Sequence, residues 1–312
     1  MINLMVLAHL WLFKAHAEAP LAGSIILAAI ILKLASYGFL RVLLNLLPEF
    51  SIYNQYIIQS IALITLIYSS LVVIRQIDLK AIVAYSSVSH VAVMILGIFS
   101  NTLTGIEGSI LLSLAHGLVS PAMFIFVGGY TYSRYHTRVI NYFRGLALTM
   151  PIFATLFFIF SIFNAGAPLS MNFIGEFLAL TGTFQNSPIL GFLGASGIFL
   201  SAIYSIWLFN RVTFLNYSPF FNQLVVKDIR SGIKLELGDL NRREFFLILP
   251  LLIATLAFGI WPNIILESLH YSVSQLLVNI DTSEFSRYIY FIIPEYNEFD
   301  ALASVNQLPI ID

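Results

Sequence analysis

An all-α, polytopic transmembrane helix bundle is the fold that this sequence predicts, and three observations predict it. Of its 312 residues, 59% are hydrophobic and 10% are charged, with a mean hydropathy of +0.88; a soluble domain carries about 25% charge. Apolar runs recur along the chain, most of them near the ~20 residues that a membrane crossing needs. The charged residues gather in the short polar stretches between those runs. The net charge of −1 gives no basic surface for a nucleic acid, and the absence of cysteine removes disulfides, thiolate metal sites and cysteine-ligated iron–sulfur clusters. The first residues do not read as a secretory signal peptide, because no basic region precedes the apolar stretch and no small-residue cleavage site follows it.

Met1 to Phe13 is apolar but too short to span, and reads as a partial helix. Lys14-Ala-His16-Ala-Glu18-Ala-Pro20 is a polar turn, with Pro20 suited to a helix start. Leu21 to Leu47 is a span with Lys33 near its middle and Arg41 near its end, where the guanidinium snorkels to the interface. Tyr53 to Ile74 is an uncharged span. Arg75-Gln-Ile-Asp78-Leu-Lys80 is a short charged turn in which Asp78 is expected to be solvated. Ala81 to Phe99 and Ile106 to Tyr130 are spans holding His90 and His116, and a basic loop with Arg134, His136, Arg138 and Arg144 follows. Leu146 to Phe163 and Met171 to Phe184 flank a break made by Asn164, Gly166 and Pro168. Ile189 to Phe209 and Phe245 to Trp261 are spans, separated by the polar, basic stretch Arg211 to Arg243. The expectation is about seven spans plus the partial first one, with one discontinuous helix around residues 146–186. Residues 1–277 form the membrane domain, and residues 278–312 an extramembrane or interfacial tail without a span.

Charge decides how often the broken segment crosses. With one crossing, Lys14, Arg75, Lys80, Arg134, Arg138, Arg144, Arg211, Lys227, Arg230, Lys234, Arg242 and Arg243 share one side, and the other keeps Arg41 and Arg287. With two, the residues from Arg211 onward change sides and the bias disappears. The positive-inside rule favours one crossing, with the basic side facing the cytoplasm or its equivalent.

Between Gly145 and Asn210 the only charged side chain is Glu176, just after the break. A carboxyl at membrane depth is costly and marks a functional site by default, and broken helices are tolerated there only inside protein or beside a wet cavity. Asn172, Glu176, Ala179 and Thr183 make one small, polar helix stripe. The bland alternative is a protonated carboxyl bonded to nearby backbone. Lys33 lies mid-span; Ala22, Ala29 and Ser36 repeat every seven residues, a small-residue stripe that lets helices approach closely, so Lys33 is read as facing protein. Ser109, Ser113, His116 and Ser120 lie on one helix face, a hydroxyl–imidazole seam able to hold a file of water or simply to pack by interhelical hydrogen bonds. His90 sits one turn beyond Ser86 and Ser87; imidazole exchanges protons near neutrality, although a lone histidine on an apolar helix is more often a satisfied core residue. His16 and His136 fall in loops and read as surface residues. Thr104-Gly-Ile-Glu107 matches a capping box, and Glu107 is read as a cap. No metal, phosphate or nucleophile motif is present. One lysine, two histidines and one glutamate on separate helices make a proton or ion pathway.

His9-Leu-Trp-Leu-Phe-Lys-Ala-His-Ala-Glu-Ala-Pro20-Leu-Ala-Gly-Ser, Leu27-Ala-Ala-Ile-Ile-Leu-Lys33, Ala84-Tyr-Ser-Ser-Val-Ser-His90, Leu114-Ala-His116-Gly and Asn172-Phe-Ile-Gly-Glu176 resemble, in the right order and over Leu7 to about Leu277, the antiporter-like subunits of mitochondrial respiratory complex I. The resemblance implies a proton path with Lys33 as its central lysine, His90 and His116 as relay or hydration points and Glu176 as its terminal carboxylate, supported by Ser109, Ser113, Ser120 and Asn172. It implies the mitochondrial inner membrane, a matrix-facing basic side, and electrostatic coupling to quinone reduction. NADH, FMN, iron–sulfur clusters and ubiquinone would be held by other subunits, leaving no cofactor or metal in this chain. The partners implied are other membrane-arm subunits, lipids and, since the sequence starts late in the seventh of the family's fourteen spans, a separate polypeptide supplying the amino-terminal half. Two departures stand out: no lysine occurs near Ile2, where the family's seventh span carries one, and Phe13 replaces a usual proline. The rival readings are a subunit of a multi-subunit sodium/proton antiporter, which shares the fold, and a structural membrane-arm subunit without pumping of its own.

Overall fold

The charge-free runs become helices whose ends are tied together at two opposite faces. The computed structural model describes residues 9–214 and 238–292; Ile2, Lys227, Arg230, Lys234, the side chain of Arg287 and the tail from 293 to 312 lie outside the described residues. Helix α1 is His9–Glu18 and α2 the span Leu21–Leu46, which contains π-helical turns at Leu27–Ile31 and Phe39–Leu43. Helices α3 (Pro48–Arg75), α4 (Leu79–Ile98) and α5 (Leu103–Tyr135) follow. Then come α6 (Pro151–Asn164), α7 (Met171–Asn186), α8 (Pro188–Thr213), α9 (Arg242–Ile260) and α10 (Asn263–Ile292). Among the described residues, six helices are long and apolar enough to cross a membrane (α2, α3, α4, α5, α8 and α9), and α6 is a shorter apolar helix.

Local signals set the helix ends. Proline in the first turn, where its missing N–H costs nothing, opens α3, α6 and α8. Asp78 is half-buried rather than solvated, and caps α4 by accepting from Lys80 N at 3.0 Å. Thr102, not Thr104, caps α5, its hydroxyl accepting from Gly105 N at 3.2 Å. Glu107 is therefore freed from the capping role expected of it. Asn241 and Glu244 form a reciprocal capping box at the start of α9. Pro121 lies inside α5 and is followed by a π-helical turn at Ile125–Thr131, an adjustment that accommodates a proline within a helix.

Helix α4 is buried along its whole length, as expected of a helix that is apolar all round. It is the axis against which α3, α5, α7 and α8 pack. Helices α5 and α7 meet backbone to backbone: a Cβ on Gly182 would lie 2.4 Å from Gly105 Cα, and one on Gly108 would lie 2.4 Å from Ala179 N. Only small residues permit this approach. The stripe Ala22, Ala29, Ser36 is not the buried face of α2. Ala22 is exposed, and the buried positions are Ser24, Ala28, Leu32, Phe39 and Leu44. The π turn at Leu27–Ile31 adds a residue to the repeat and rotates the later residues away from a strict seven-residue register.

Hydrogen bonds show how the chain threads. On the basic face, Leu79 N donates to Arg138 O, Arg138 Nη1 to Ala17 O, Lys80 Nζ to Ala19 O, and Gly145 N to Phe214 O. On the opposite face, Gln59 bonds Phe99 O, Asn101 bonds Gln55, and the Thr104 hydroxyl donates to Gln185. The Gly145–Phe214 bond places the start of α6 beside the end of α8. The Thr104–Gln185 bond places the end of α7 beside the start of α5. Helices α6 and α7 therefore make a single broken crossing, in agreement with the charge argument. At the break, Gly166 and Leu169 take left-handed backbone conformations, with φ of 70° and 74°. The hydroxyl of Ser170 caps α7, and Asn172 Nδ2 donates across the break to Phe163 O at 3.0 Å.

Residues 270–292, read from the sequence as part of a mixed tail, belong to α10. This helix packs on α5 and α3 and buries Val273 and Ile280.

Candidate functional site

The four ionisable residues singled out inside the spans meet in one file, although each comes from a different helix. Lys33 follows the first π turn of α2; its Nζ donates to the Ala28 carbonyl and lies 2.8 Å from His116 Nδ1. The wider turn lets an ammonium five residues later reach that oxygen. The His116 ring, on α5, lies 5.6 Å from the His90 ring, centroid to centroid and tilted by 50°. His90 Nδ1, on α4, lies 2.9 Å from Glu176 Oε1, on α7. His90, His116 and Glu176 are buried, and Lys33 is half-buried.

The tautomers follow from chemistry. When Lys33 is an ammonium it can only donate, so His116 Nδ1 then accepts from it and Nε2 carries the hydrogen. His90 Nδ1 donates to the carboxylate. The Nε2 atoms of both rings are buried with no protein partner among the described residues, and such atoms are ordinarily satisfied by water. Glu176 sits close against the backbone of the break: a Cβ on Gly166 would lie 2.3 Å from Oε2. Gly166 thus supplies both the left-handed turn and the room for the carboxylate.

The expected hydroxyl seam is divided. Ser120 Oγ meets Ser87 Oγ at 3.1 Å, joining α4 and α5 one turn from the two histidines. Ser109 and Ser113 return their hydroxyls to their own helix, on Ile106 O and Ile110 O. Asn172 braces the break rather than contacting Glu176. Beside the file, Ser89 Oγ and the fully buried Tyr204 hydroxyl meet at 3.1 Å.

His16 and Glu107, like Asp78, differ from the sequence reading. His16 is not at the surface: it is fully buried, stacked on Phe124 with ring centroids 4.7 Å apart, and neither ring nitrogen has a protein partner among the described residues. Burial, with the positive charges of Lys80 and Lys33, lowers its pKa to about 4 and keeps the ring neutral. The polar turn folds inward because its carbonyls are taken up by Ser24, Lys80 and Arg138. Lys80, at the end of the charged turn, is buried too. Glu107 is buried and meets His270 Nδ1 of α10 at 2.8 Å. His136 is exposed, as expected.

Residues 4–203 match the family model described as NADH:quinone oxidoreductase/Mrp antiporter, TM. The chain belongs to this family. As an NADH:quinone oxidoreductase/Mrp antiporter family member it is a multi-pass membrane protein, similar to NADH-ubiquinone oxidoreductase chain 4 of Mycosarcoma maydis (55% identical over 269 residues, 86% of this chain and 53% of that protein). The protein of that name from Marchantia polymorpha is 48% identical over 273 residues, 88% of this chain and 52% of the relative. This chain thus spans about half the length of the curated relatives it matches. Among solved structures, a chain of respiratory complex I from Thermus thermophilus with bound NADH superposes with a TM-score of 0.80 at 27% identity, covering 89% of this chain and 56% of that one. A chain of the Mrp complex from Dietzia shares the fold, with a TM-score of 0.76 at 19% identity, covering 88% of this chain and 57% of that one.

Proposed function

We propose that this chain is a proton-translocating subunit of the membrane arm of NADH:ubiquinone oxidoreductase, in the mitochondrial inner membrane, and that Lys33, His116, His90 and Glu176 carry protons laterally through it. The observation that carries the proposal is the sequence of those four side chains in space, with Lys33–His116 and His90–Glu176 each within the ~2.6–3.2 Å that proton transfer requires and the two imidazole rings side by side between them. The step between the imidazoles spans more than a hydrogen bond and takes place through water at their free Nε2 atoms. In the resting state the ammonium of Lys33 is held by His116 and Ala28 O, and Glu176 by His90. Quinone reduction elsewhere in the complex shifts the field along the membrane arm. Lys33 then passes its proton to His116, and the charge moves through His90 to Glu176. The carboxylate, beside the break in the helix, hands it on.

The redox groups belong to other subunits in this reading: NADH, FMN, iron–sulfur clusters and ubiquinone are bound outside this chain, whose own side chains only bind and move protons. Its partners are the neighbouring membrane-arm subunits. The sodium/proton antiporter alternative has the weaker support, since the relatives at 45–55% identity carry the oxidoreductase name whereas the Mrp likeness is one of fold.

The test is Lys33→Met in the assembled complex, reconstituted in liposomes. Proton uptake driven by NADH oxidation is expected to collapse, while NADH oxidation by a soluble acceptor, which needs only the redox arm, continues. Glu176→Gln is expected to do the same. Wild-type proton-to-electron ratios in both variants would favour a purely structural subunit and overturn the assignment.

A further inference from the structure

A cleft at the face opposite the basic loops lies apart from the proton file. It has a volume of about 390 Å³ and is walled by the last two turns of α2, the start of α5 and the middle of α10. Its floor is apolar, from Leu40, Ile106, Ile110, Val273 and Leu276. Its rim is polar, from Tyr37, Arg41 and Asn45 on α2, facing Ser272, Gln275 and Asn279 on α10. The polar residues recur at helical spacing on both walls, every four residues at Tyr37, Arg41 and Asn45 and at three and four residues at Ser272, Gln275 and Asn279, beside the aliphatic Leu40 on one wall and Val273 and Leu276 on the other.

We propose that this cleft binds one phospholipid, with an acyl chain on the aliphatic floor and the phosphate on Arg41. Charge and position argue for that occupant. Arg41 is exposed, it is the one charged residue lining the cleft, and among the described residues it has no carboxylate partner. Glu107, one residue beyond the wall residue Ile106, is already engaged by His270. A guanidinium near the end of a span sits where phosphates lie, and its planar fork matches phosphate oxygens two at a time. Tyr37 is suited to the interface at the same level. The amides of Asn45 and Gln275 offer further donors to ester and phosphate oxygens. The volume falls within the ~300–1,000 Å³ of small-molecule sites.

The π turn at Phe39–Leu43 contributes to the site. It contains Arg41, and its wider turn changes the register in which Tyr37, Arg41 and Asn45 line the same cleft.

The experiment uses the intact membrane complex, delipidated in detergent and reconstituted in nanodiscs of phosphatidylcholine with or without phosphatidylglycerol, as wild type, Arg41→Gln and Arg41→Lys. Bound lipid is counted by mass spectrometry, and the cleft is inspected in the density of the same samples. The expected result is one delipidation-resistant phospholipid with its headgroup density on Arg41, retained about tenfold less well in Arg41→Gln and largely kept in Arg41→Lys, with subunit composition unchanged. Polypeptide density in the cleft would overturn the proposal. So would equal lipid retention and density in wild type and Arg41→Gln. If Arg41→Gln fails to assemble, the wild-type density decides alone: a lipid on Arg41 supports the site, and an empty or protein-filled cleft refutes it.

Discussion

Replacing Gly166 with alanine perturbs the carboxylate end of the file without removing a single ionisable group. Two costs follow from the geometry. Gly166 has φ of 70°, a conformation that costs a residue with a Cβ roughly 1 kcal/mol or slightly more. The added Cβ would also lie 2.3 Å from Glu176 Oε2, whereas a carbon and an oxygen in contact rest about 3.3 Å apart. The carboxylate must turn or retreat by about 1 Å, because the Cβ is fixed to backbone. From 2.9 Å, the His90–Glu176 contact then moves to the edge of hydrogen-bond reach. A misplacement of that size can slow a transfer by ~10²-fold. In liposomes containing the assembled complex, Gly166→Ala is expected to reduce NADH-driven proton uptake by roughly 10- to 100-fold, approaching Glu176→Gln, with assembly and soluble-acceptor activity retained. Wild-type pumping in Gly166→Ala, with a structure that keeps Glu176 on His90, would refute the reasoning. So would normal pumping with the contact broken, since the contact would then not be on the path.

Arg134 is buried and donates to Tyr130 O, Gly238 O, Asp239 O and both carboxylate oxygens of Glu244, the shortest at 2.7 Å. Arg134→Met leaves the acid and three carbonyls without their donor and is expected to cost ~3 kcal/mol, seen as a lower Tm. Adding Glu244→Leu should return part of that loss, and purely additive effects would show that the pair is not coupled. His16 remains neutral when folded, with a pKa of about 4 against 6.5 in the unfolded chain. Below pH 6.5 the unfolded chain takes up a proton that the folded one refuses, so stability falls as pH drops towards 4, by at most about 3 kcal/mol. His16→Phe should flatten the dependence of Tm on pH across that window, and equal slopes in the two proteins would contradict the burial of the ring.

The sequence by itself determined the class of the protein and most of its candidate site. Apolar run length sets the number of crossings, because the bilayer imposes one thickness on every helix. The scarcity of charge makes each intramembrane ionisable residue conspicuous, so Lys33, His90, His116 and Glu176 could be named one by one. The charge bias across the loops also carried the single broken crossing, which the Gly145–Phe214 and Thr104–Gln185 bonds bear out. Periodicity served less well where the backbone departs from 3.6 residues per turn: the stripe Ala22, Ala29, Ser36 dissolves at a π turn. Only the tertiary structure decided which polar residues meet. Hydrogen bonds are short-ranged and join residues as far apart as Lys33 and His116, or Glu107 and His270, which no local pattern relates. The inward fold of His16 depends on donors from Ser24, Lys80 and Arg138, and the place of Glu176 depends on a glycine ten residues earlier whose missing Cβ leaves space for its carboxylate.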